Sequence, residues 1–304
     1  MAYPTTRRNL FVAALLLFFL SDVGLQSFAQ SNPSVAHTSA FEEDFDVMWA
    51  TDHVKSSADG RMWNLVLDQN SGSGFQSKGK FKYGWFSMKL KLVPGDSAGV
   101  VTAYYLSSNT ENRDELDFEF LGNRSGEPYV LQTNMYVNGV GGREQRMNLW
   151  FDPTQKFHTY SILWNTHNTV FYVDQVPIRV HRNTPQTRAM YPTEQPMYIF
   201  SSIWNGDGWA TRGGLDKINW EAAPFVSAYE KFHVDACEWS EMGDVPACAA
   251  TTSQQWWDRP FAWTLTEKEK ASYKWATSKF MQYNYCTDVA RYATPPAECV
   301  AGLD

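Results

Sequence analysis

Carboxylate side chains recur at every second position between Glu115 and Glu119, with Asp117 in the middle. Alternate residues of a β-strand point to opposite faces, so these three would share one face while Leu116 and Phe118 share the other. Like charges at this spacing repel one another and contribute nothing to stability. The segment fits three interpretations. It could be an exposed acidic face, or a calcium site, because hard cations bind clustered carboxylates. We favour the third interpretation, a catalytic site.

Cleavage of a glycosidic bond with retention needs such groups: a carboxylate nucleophile and a carboxylic acid about 5–5.5 Å apart. Glu115 and Glu119 have side chains long enough to approach each other across a bent strand. Asp117 would contact both neighbours. It could hydrogen-bond the nucleophile and help to keep one carboxyl ionised while another stays protonated. Because the three groups interact, we expect them to titrate as one unit.

The composition argues against one class of partner. Of 304 residues, 26 are Lys or Arg and 33 are Asp or Glu, and the formal net charge is -7. Phosphate binding needs clustered basic residues, so nucleic acid is not an expected partner. The 13 Trp and 15 Tyr residues exceed what a core requires. Their flat apolar faces suit stacking on sugar rings, although most of them are expected in a β-sandwich core.

Short strands must position the acidic segment. In Tyr83–Leu92, the apolar Phe86, Met88 and Leu90 alternate with other residues, as in a strand with one buried face. Similar segments are Val100–Leu106, Glu115–Leu121, Tyr129–Val137, Thr159–Trp164, Val170–Val173, Ile178–His181, Met197–Trp204 and Phe225–His233. Turn residues separate them and no helical period interrupts them. The pattern predicts two packed antiparallel sheets.

The first 29 residues have the pattern of a signal peptide. Arg7 and Arg8 form a basic start, Leu10–Leu20 is apolar, and Ser27 and Ala29 are small residues before a cleavage site. The apolar run is shorter than the about 18 residues of a membrane span. We expect residues 30–304 to form an exported protein that is not bound to a membrane.

Residues 237–304 are expected to form an extension packed on a domain of residues 30–236. Thr266 and Glu269 have the spacing of a capping box, and an amphipathic helix is predicted after them. The sequon at Asn123 predicts a glycosylation site, which requires its loop to face solvent.

The four cysteines all lie in the extension, and in an exported chain they predict disulfides. Three pairings are possible. Short loops close most readily, so we favour Cys237 with Cys248 and Cys286 with Cys299. A zinc site is the alternative, but no CxxC or His-rich spacing supports it.

Residues 114–123, with the sequence DELDFEFLGN, resemble the active-site signature of the plant xyloglucan endotransglucosylase/hydrolases, which belong to glycoside hydrolase family 16. The resemblance runs from about Phe41 to Cys299. Further matching segments are QTN at 132–134, REQR at 143–146, LWFDP at 149–153, SSIWN at 201–205, WATRGG at 209–214 and YNYCTD at 283–288.

The resemblance implies an all-β fold, a two-sheet antiparallel jelly-roll sandwich with a disulfide-stapled C-terminal extension that contains a helix. It implies an enzyme that cleaves the β-1,4-glucan backbone of xyloglucan with retention and transfers the fragment to a xyloglucan or oligosaccharide acceptor in the plant cell wall or apoplast. No cofactor and no metal are expected, and nothing in the sequence suggests more than a monomer.

The family pattern also implies roles for individual residues. Glu115 becomes the nucleophile, Asp117 its assistant and Glu119 the acid/base. The positions that match the sugar-binding cleft are Gln132, Thr133, Asn134, Arg143, Glu144, Arg146, Trp209, Ala210, Gly214 and Arg291. Amide side chains suit sugar hydroxyls, Trp209 offers a stacking plane, and Gly214 would allow a close backbone approach.

Two positions depart from the family pattern. Arg113 stands where the family often has His, and its fixed charge is expected to favour the ionised form of Glu115. Gly142 stands where the family often has Asp, so a carboxylate contact near the cleft is lost. The loop Asn205–Gly214 is short, as in transglucosylase members, so transfer is expected to predominate. The alternatives are a mainly hydrolytic glucanase of the same fold, including one that acts on mixed-linkage β-glucan, and a non-catalytic carbohydrate-binding jelly roll.

Overall fold

A computed structural model describes residues 40–240, 245–250 and 254–300 of the chain. The predicted signal peptide, residues 1–29, lies outside the described residues. Strands are the main secondary structure of the described chain, and they form two antiparallel sheets. The predicted fold class is therefore confirmed.

The strands are, in chain order, β1 Phe45–Trp49, β2 Val54–Ser56, β3 Met62–Leu67, β4 Ser73–Ser77, β5 Lys80–Lys91, β6 Val100–Ser107, β7 Glu115–Leu121, β8 Val130–Tyr136, β9 Gln145–Asn148, β10 His158–Trp164, β11 Asn168–Val173, β12 Val176–Arg182, β13 Tyr198–Asn205, β14 Phe225–Trp239 and β15 Met281–Asn284. Among the described residues, one sheet has the order β1-β4-β13-β6-β7-β8-β9-β15 and the other β12-β11-β10-β5-β14-β3-β2.

The helices are short apart from one. They are α1 Phe41–Asp44, α2 Glu267–Phe280 and α3 Ala297–Val300, with 3₁₀ turns at Thr51–His53, Arg188–Met190, Thr211–Gly214, Trp220–Ala222, Ala247–Ala249, Trp256–Asp258, Pro260–Ala262 and Tyr285–Thr287. None of the helices within the described ranges is long and apolar enough to cross a lipid bilayer.

The strand β7 owes its orientation to its apolar side chains. Leu116, Phe118 and Phe120 are fully buried between the sheets. The ring of Phe118 lies 5.1 Å from that of Phe171, and the ring of Phe120 lies 4.6 Å from that of Tyr160, both edge to face. Burial of each such ring contributes about 1.5–3 kcal/mol. A one-residue shift of register would forfeit this packing, so the acidic residues of β7 are held on the outer face.

The C-terminal extension joins the first sheet directly. Its strand β15 pairs with β9 in antiparallel register, which the sequence did not predict. The predicted helix is present as α2, and Ala276 on it is fully buried. The disulfides are Cys237–Cys248 and Cys286–Cys299, the local pairing that the sequence favoured.

The capping box of α2 provides a test of how far this helix stabilises the fold. The Thr266 side chain accepts from the Glu269 backbone N–H, and Glu269 accepts from the Thr266 backbone N–H at 2.8 Å. We expect Thr266→Ala to lower the free energy of unfolding by about 1 kcal/mol. Thermal unfolding should show a Tm lower by about 2–4 °C. Thr264→Ala, at an exposed position nearby, should leave Tm unchanged, and equal Tm values for both variants would contradict the role of the cap.

Candidate active site

The acidic residues lie in the middle of the first sheet, on its outer face. The strand β7 runs between β6 and β8. Its register places Glu115, Asp117 and Glu119 on one face, with Asn134 of β8 opposite Asp117 and Gln132 opposite Glu119. All three carboxyl groups are therefore flanked by polar side chains of the neighbouring strand. The structure thus brings the three acidic residues together as the sequence predicted.

An ion pair holds Glu115. The Arg113 Nε donates to Glu115 Oε2 at 2.9 Å, and its guanidinium lies 4.5 Å above the ring of Tyr136. Burial raises the pKa of Glu115 and the charge and hydrogen bond of Arg113 lower it, and burial outweighs Arg113. Arg113 acts in the direction expected from the sequence, but it only reduces the effect of burial.

A neutral amide holds Glu119. The Gln132 Nε2 donates to Glu119 Oε2 at 2.5 Å, and Gln132 Oε1 accepts from Arg146 Nε at 2.6 Å. Because Arg146 can only donate, the amide of Gln132 must turn its NH2 group toward Glu119. Burial raises the pKa of Glu119, the Gln132 hydrogen bond opposes this, and the charge of Glu115 adds to it. The group therefore retains a proton to higher pH than an exposed glutamate does.

Asp117 is the most enclosed of the three, with 5% of its surface exposed. Burial raises its pKa well above the usual value, and the charges of Glu119 and Glu115 raise it further. The main opposing charge is that of Arg179 on β12. This arginine is 2% exposed and donates to the Thr133 backbone oxygen at 3.0 Å. Asp117 therefore keeps its proton to higher pH than an exposed aspartate does, and in its protonated form it can donate a hydrogen bond to a neighbouring carboxylate.

Arg179 was missed by the sequence analysis. It crosses the sandwich interior from the second sheet, and its guanidinium lies 5.8 Å from the rings of Phe171 and Tyr285. The one available signal was a basic residue within the otherwise apolar segment Ile178–Val180. Such a residue in a buried strand indicates a specific partner, because an unpaired buried charge is costly.

An apolar patch continues the same face beyond Glu119. Register places Trp204, Val101 and Leu121 side by side across β13, β6 and β7. Trp209 and the buried Ala210 pack on them, and the Trp204 and Trp209 rings lie 6.0 Å apart. The patch includes Trp209, for which the sequence predicts a stacking role toward sugars.

Gly214 has a structural reason for lacking a side chain. Its φ is +88°, which favours glycine, and a Cβ atom there would lie 2.4 Å from the Gly208 backbone oxygen. The short loop Asn205–Gly214 therefore folds back on itself. Thr211 secures it by accepting from Gly99 N and donating to Gly122 O, each at 2.7 Å.

Glu144 and Arg291 are brought together at the opposite edge of the site. The Arg291 Nη1 donates to Glu144 Oε2 at 2.6 Å. Near them, Gly142 has a φ of +86°, and a Cβ atom there would lie 2.9 Å from Arg291 Nη2 and from the Tyr292 hydroxyl. Gly142 therefore does more than remove a carboxylate contact. Its lack of a side chain makes room for Arg291 and Tyr292 of the extension.

Two residues predicted for the cleft do not present their side chains to it. Thr133 pairs with the inward-facing Phe118, and its side chain accepts from Arg179 Nη1 at 3.2 Å in the core. Strand alternation puts it on the inner face although it lies between two outer-face residues. The Arg143 side chain is 8% exposed and forms a 2.8 Å ion pair with Glu298, so it is engaged by the extension.

Within the described residues, no three His, Cys, Asp or Glu side chains are grouped where they could hold a metal ion. Glu115 and Glu119 instead accept from Arg113 and Gln132. Three neighbouring carboxyl groups on one strand can give and take protons and can attack an electrophilic carbon.

The raised pKa of Asp117 predicts a stabilising substitution. When the pKa of a carboxyl group is higher in the folded protein than in the unfolded chain, the group destabilises the fold at pH values above the unfolded pKa, which is about 4. The destabilisation grows with pH until the pH reaches the folded pKa. Asp117→Asn removes this proton equilibrium. We expect equal Tm values for variant and wild type near pH 4 and a higher Tm for the variant at pH 7.

The measurement is thermal unfolding of both proteins between pH 4 and pH 8. Asp46→Asn is the matched control, since the Asp46 side chain is 74% exposed, and it should leave the pH dependence unchanged. A Tm for Asp117→Asn at or below that of the wild type at pH 7 would contradict the raised pKa of Asp117.

Comparison with known proteins gives the family. A profile described as glycosyl hydrolases family 16 matches residues 41–222, and one described as xyloglucan endo-transglycosylase (XET) C-terminus matches residues 251–299. The chain is 51% identical over 292 residues to the probable xyloglucan endotransglucosylase/hydrolase protein 8 of Arabidopsis thaliana, covering 94% of each chain. It is also 51% identical to the xyloglucan endotransglucosylase protein 34 of Populus tremula x Populus tremuloides, covering 87% of this chain and 89% of that protein.

Solved structures agree on the fold. The Bacillus licheniformis beta-glucanase superimposes with a TM-score of 0.50 at 25% identity, covering 63% of this chain and 85% of that chain. The Crh5 transglycosylase in complex with NAG gives a TM-score of 0.54 at 22% identity, covering 67% and 82%; at this identity it supports the fold alone. The chain therefore belongs to glycoside hydrolase family 16, among the plant xyloglucan endotransglucosylase/hydrolases.

Proposed function

We propose that this protein is a xyloglucan endotransglucosylase, which cuts the β-1,4-glucan backbone of xyloglucan with retention and joins the new end to a xyloglucan acceptor. The observation that carries the proposal is the row of three carboxyl groups on the outer face of β7. An arginine holds the first, burial raises the pKa of the second, and an amide holds the third. The names of the relatives, which include endotransglucosylases, support the substrate and the reaction.

In the first half of the reaction, Glu119 donates its proton to the glycosidic oxygen that leaves. Burial raises the pKa of Glu119, so the proton is available. Glu115 attacks the anomeric carbon and forms a covalent glycosyl-enzyme. The positive charge of Arg113 favours the ionised nucleophile, and Asp117, when it carries a proton, can donate a hydrogen bond to whichever neighbour is ionised.

In the second half, Glu119 removes a proton from the incoming hydroxyl group, which attacks the anomeric carbon and releases Glu115. Water at this step gives hydrolysis, and a sugar hydroxyl gives transfer. Because water is far more abundant, transfer requires contacts that hold the acceptor in position. The loop Asn205–Gly214, which is short as in transglucosylase members, and the relatives named endotransglucosylases support transfer as the main outcome.

The proposal includes where the enzyme works and how the chain is processed. Residues 1–29 would be removed on export, leaving a catalytic domain of residues 30–236 and the extension 237–304, in the plant cell wall and as a monomer. Asn123 would carry an N-glycan. In support of the glycan, residues 124–128 beside it are exposed.

The decisive experiment supplies xyloglucan with and without a labelled xyloglucan oligosaccharide. We expect label to enter polymer, and new reducing ends to appear far more slowly than label is transferred. Glu115→Gln should reduce transfer by at least about 1000-fold, because it removes the attacking carboxylate. Equal rates of reducing-end formation with and without acceptor, and no labelled polymer, would indicate the hydrolytic alternative; no turnover at all would indicate a binding protein.

The ion pair at the nucleophile predicts a pH effect. Arg113 lowers the pKa of Glu115, so Arg113→Gln should raise it and leave more Glu115 protonated at a given pH. Since the ionised form attacks, the acidic limb of the kcat/KM profile should move to higher pH by roughly 0.5–1 unit. Arg61→Gln, at an exposed position, should not move it. An acidic limb that stays in place or moves to lower pH in Arg113→Gln would refute the assignment.

A further inference from the structure

The C-terminal extension contacts a short segment of the catalytic domain, residues 142–145, position by position. The contacts are Tyr292 hydroxyl to Gly142 oxygen at 2.8 Å, Glu298 to Arg143 at 2.8 Å, Arg291 to Glu144 at 2.6 Å, and the pairing of Asn284 with Gln145. The segment leads directly into β9 at the edge of the sheet that carries the carboxyl groups.

One of these contacts is shielded from water. The side chains of Arg143 and Glu298 are 8% and 2% exposed, whereas those of Arg291 and Glu144 are 41% and 21% exposed. A buried pair is screened little by salt and solvent, so it imposes a geometry that an exposed pair does not. Glu298 lies next to Cys299, whose disulfide with Cys286 anchors it.

Arg143 connects Glu298 to the carboxylate face. Its Nη1 donates to the Val140 backbone oxygen at 2.5 Å, which secures the preceding turn. Its backbone N–H donates to Asn134 Oδ1 at 3.0 Å. A backbone N–H can only donate, so the Asn134 amide must present its oxygen to Arg143. Its NH2 group is then left for the outer face, where Asn134 lies opposite Asp117.

We propose that Glu298 is a positioning residue for the reaction. Through the buried ion pair with Arg143 it fixes the turn before β9, and the turn fixes the Asn134 amide with its donor toward the sugar that reacts. This inference rests on the proposed function, because it assigns that donor to a substrate hydroxyl. The C-terminal extension then contributes to catalysis through a contact that never touches the substrate.

The test uses Glu298→Gln in the full-length enzyme. Glutamine keeps the size of the side chain and an acceptor for Arg143 but removes the charge. We expect kcat/KM for transfer to fall about 10-fold, because a small displacement of a substrate-positioning group is costly. In an Asn134→Ala background the same substitution should lower kcat/KM by less than about twofold, since the group through which Glu298 acts is gone. Glu267→Gln on α2, with its side chain 89% exposed, is the control and should change neither value.

A second readout does not require activity. The side-chain amide NMR signal of Asn134 should shift or broaden in Glu298→Gln and stay in place in Glu267→Gln. If Glu298→Gln is not recovered folded, Arg143→Lys replaces it in both measurements, with the same expected results. Lysine keeps the charge and the backbone N–H but cannot bind Val140 and Glu298 at the same time.

The inference is overturned if Glu298→Gln leaves kcat/KM unchanged or if it lowers kcat/KM by the same factor with and without Asn134. It is also overturned if the amide NMR signal of Asn134 does not change. The proposed function fails separately, through a wild-type enzyme that transfers no label. In that case the amide signal alone decides whether Glu298 orients Asn134.

Discussion

The whole site depends on three carboxyl groups crowded on one face of a strand from which water is largely excluded. Burial raises the pKa of Glu115, Asp117 and Glu119 alike, and neighbouring carboxylate charges raise the pKa of Asp117 and Glu119 further. Such a row destabilises the folded protein. The packing of Phe118 and Phe120 on the opposite face of the strand offsets this destabilisation and holds the strand against the core. Aromatic packing thus stabilises the strand in a position where its acidic residues are useful.

The partners of the three groups differ, and this difference divides the chemistry among them. Glu115 faces the full charge of Arg113, whereas Glu119 faces the neutral amide of Gln132. A fixed cation favours a carboxylate more than a neutral donor does. Glu115 and Glu119 therefore lie on one strand and are the same residue type, but their hydrogen-bond partners differ in charge.

The extension is part of the sheet that carries the three carboxyl groups. The strand β15 continues the hydrogen-bond ladder beyond β9, and a row of side chains from the extension holds the preceding turn. Gly142 belongs to this arrangement, because a side chain there would collide with Arg291 and Tyr292. In the sequence, Gly142 stands where the family often has Asp. In the structure, this position is one where the extension packs closely against the catalytic domain.

Local patterns in the sequence were sufficient for much of this protein. Alternation predicted that Glu115, Asp117 and Glu119 share a face, and the Thr266 capping box predicted the start of α2, because both depend on neighbours within a few residues. The same alternation, applied strictly, would have placed Thr133 on the inner face. Tertiary structure alone decided which distant groups meet the acids: Arg179 behind Asp117, and Glu298 on Arg143. Those contacts join residues that are far apart in the chain, and their pairing depends on how the two sheets and the extension stack, which no local spacing specifies.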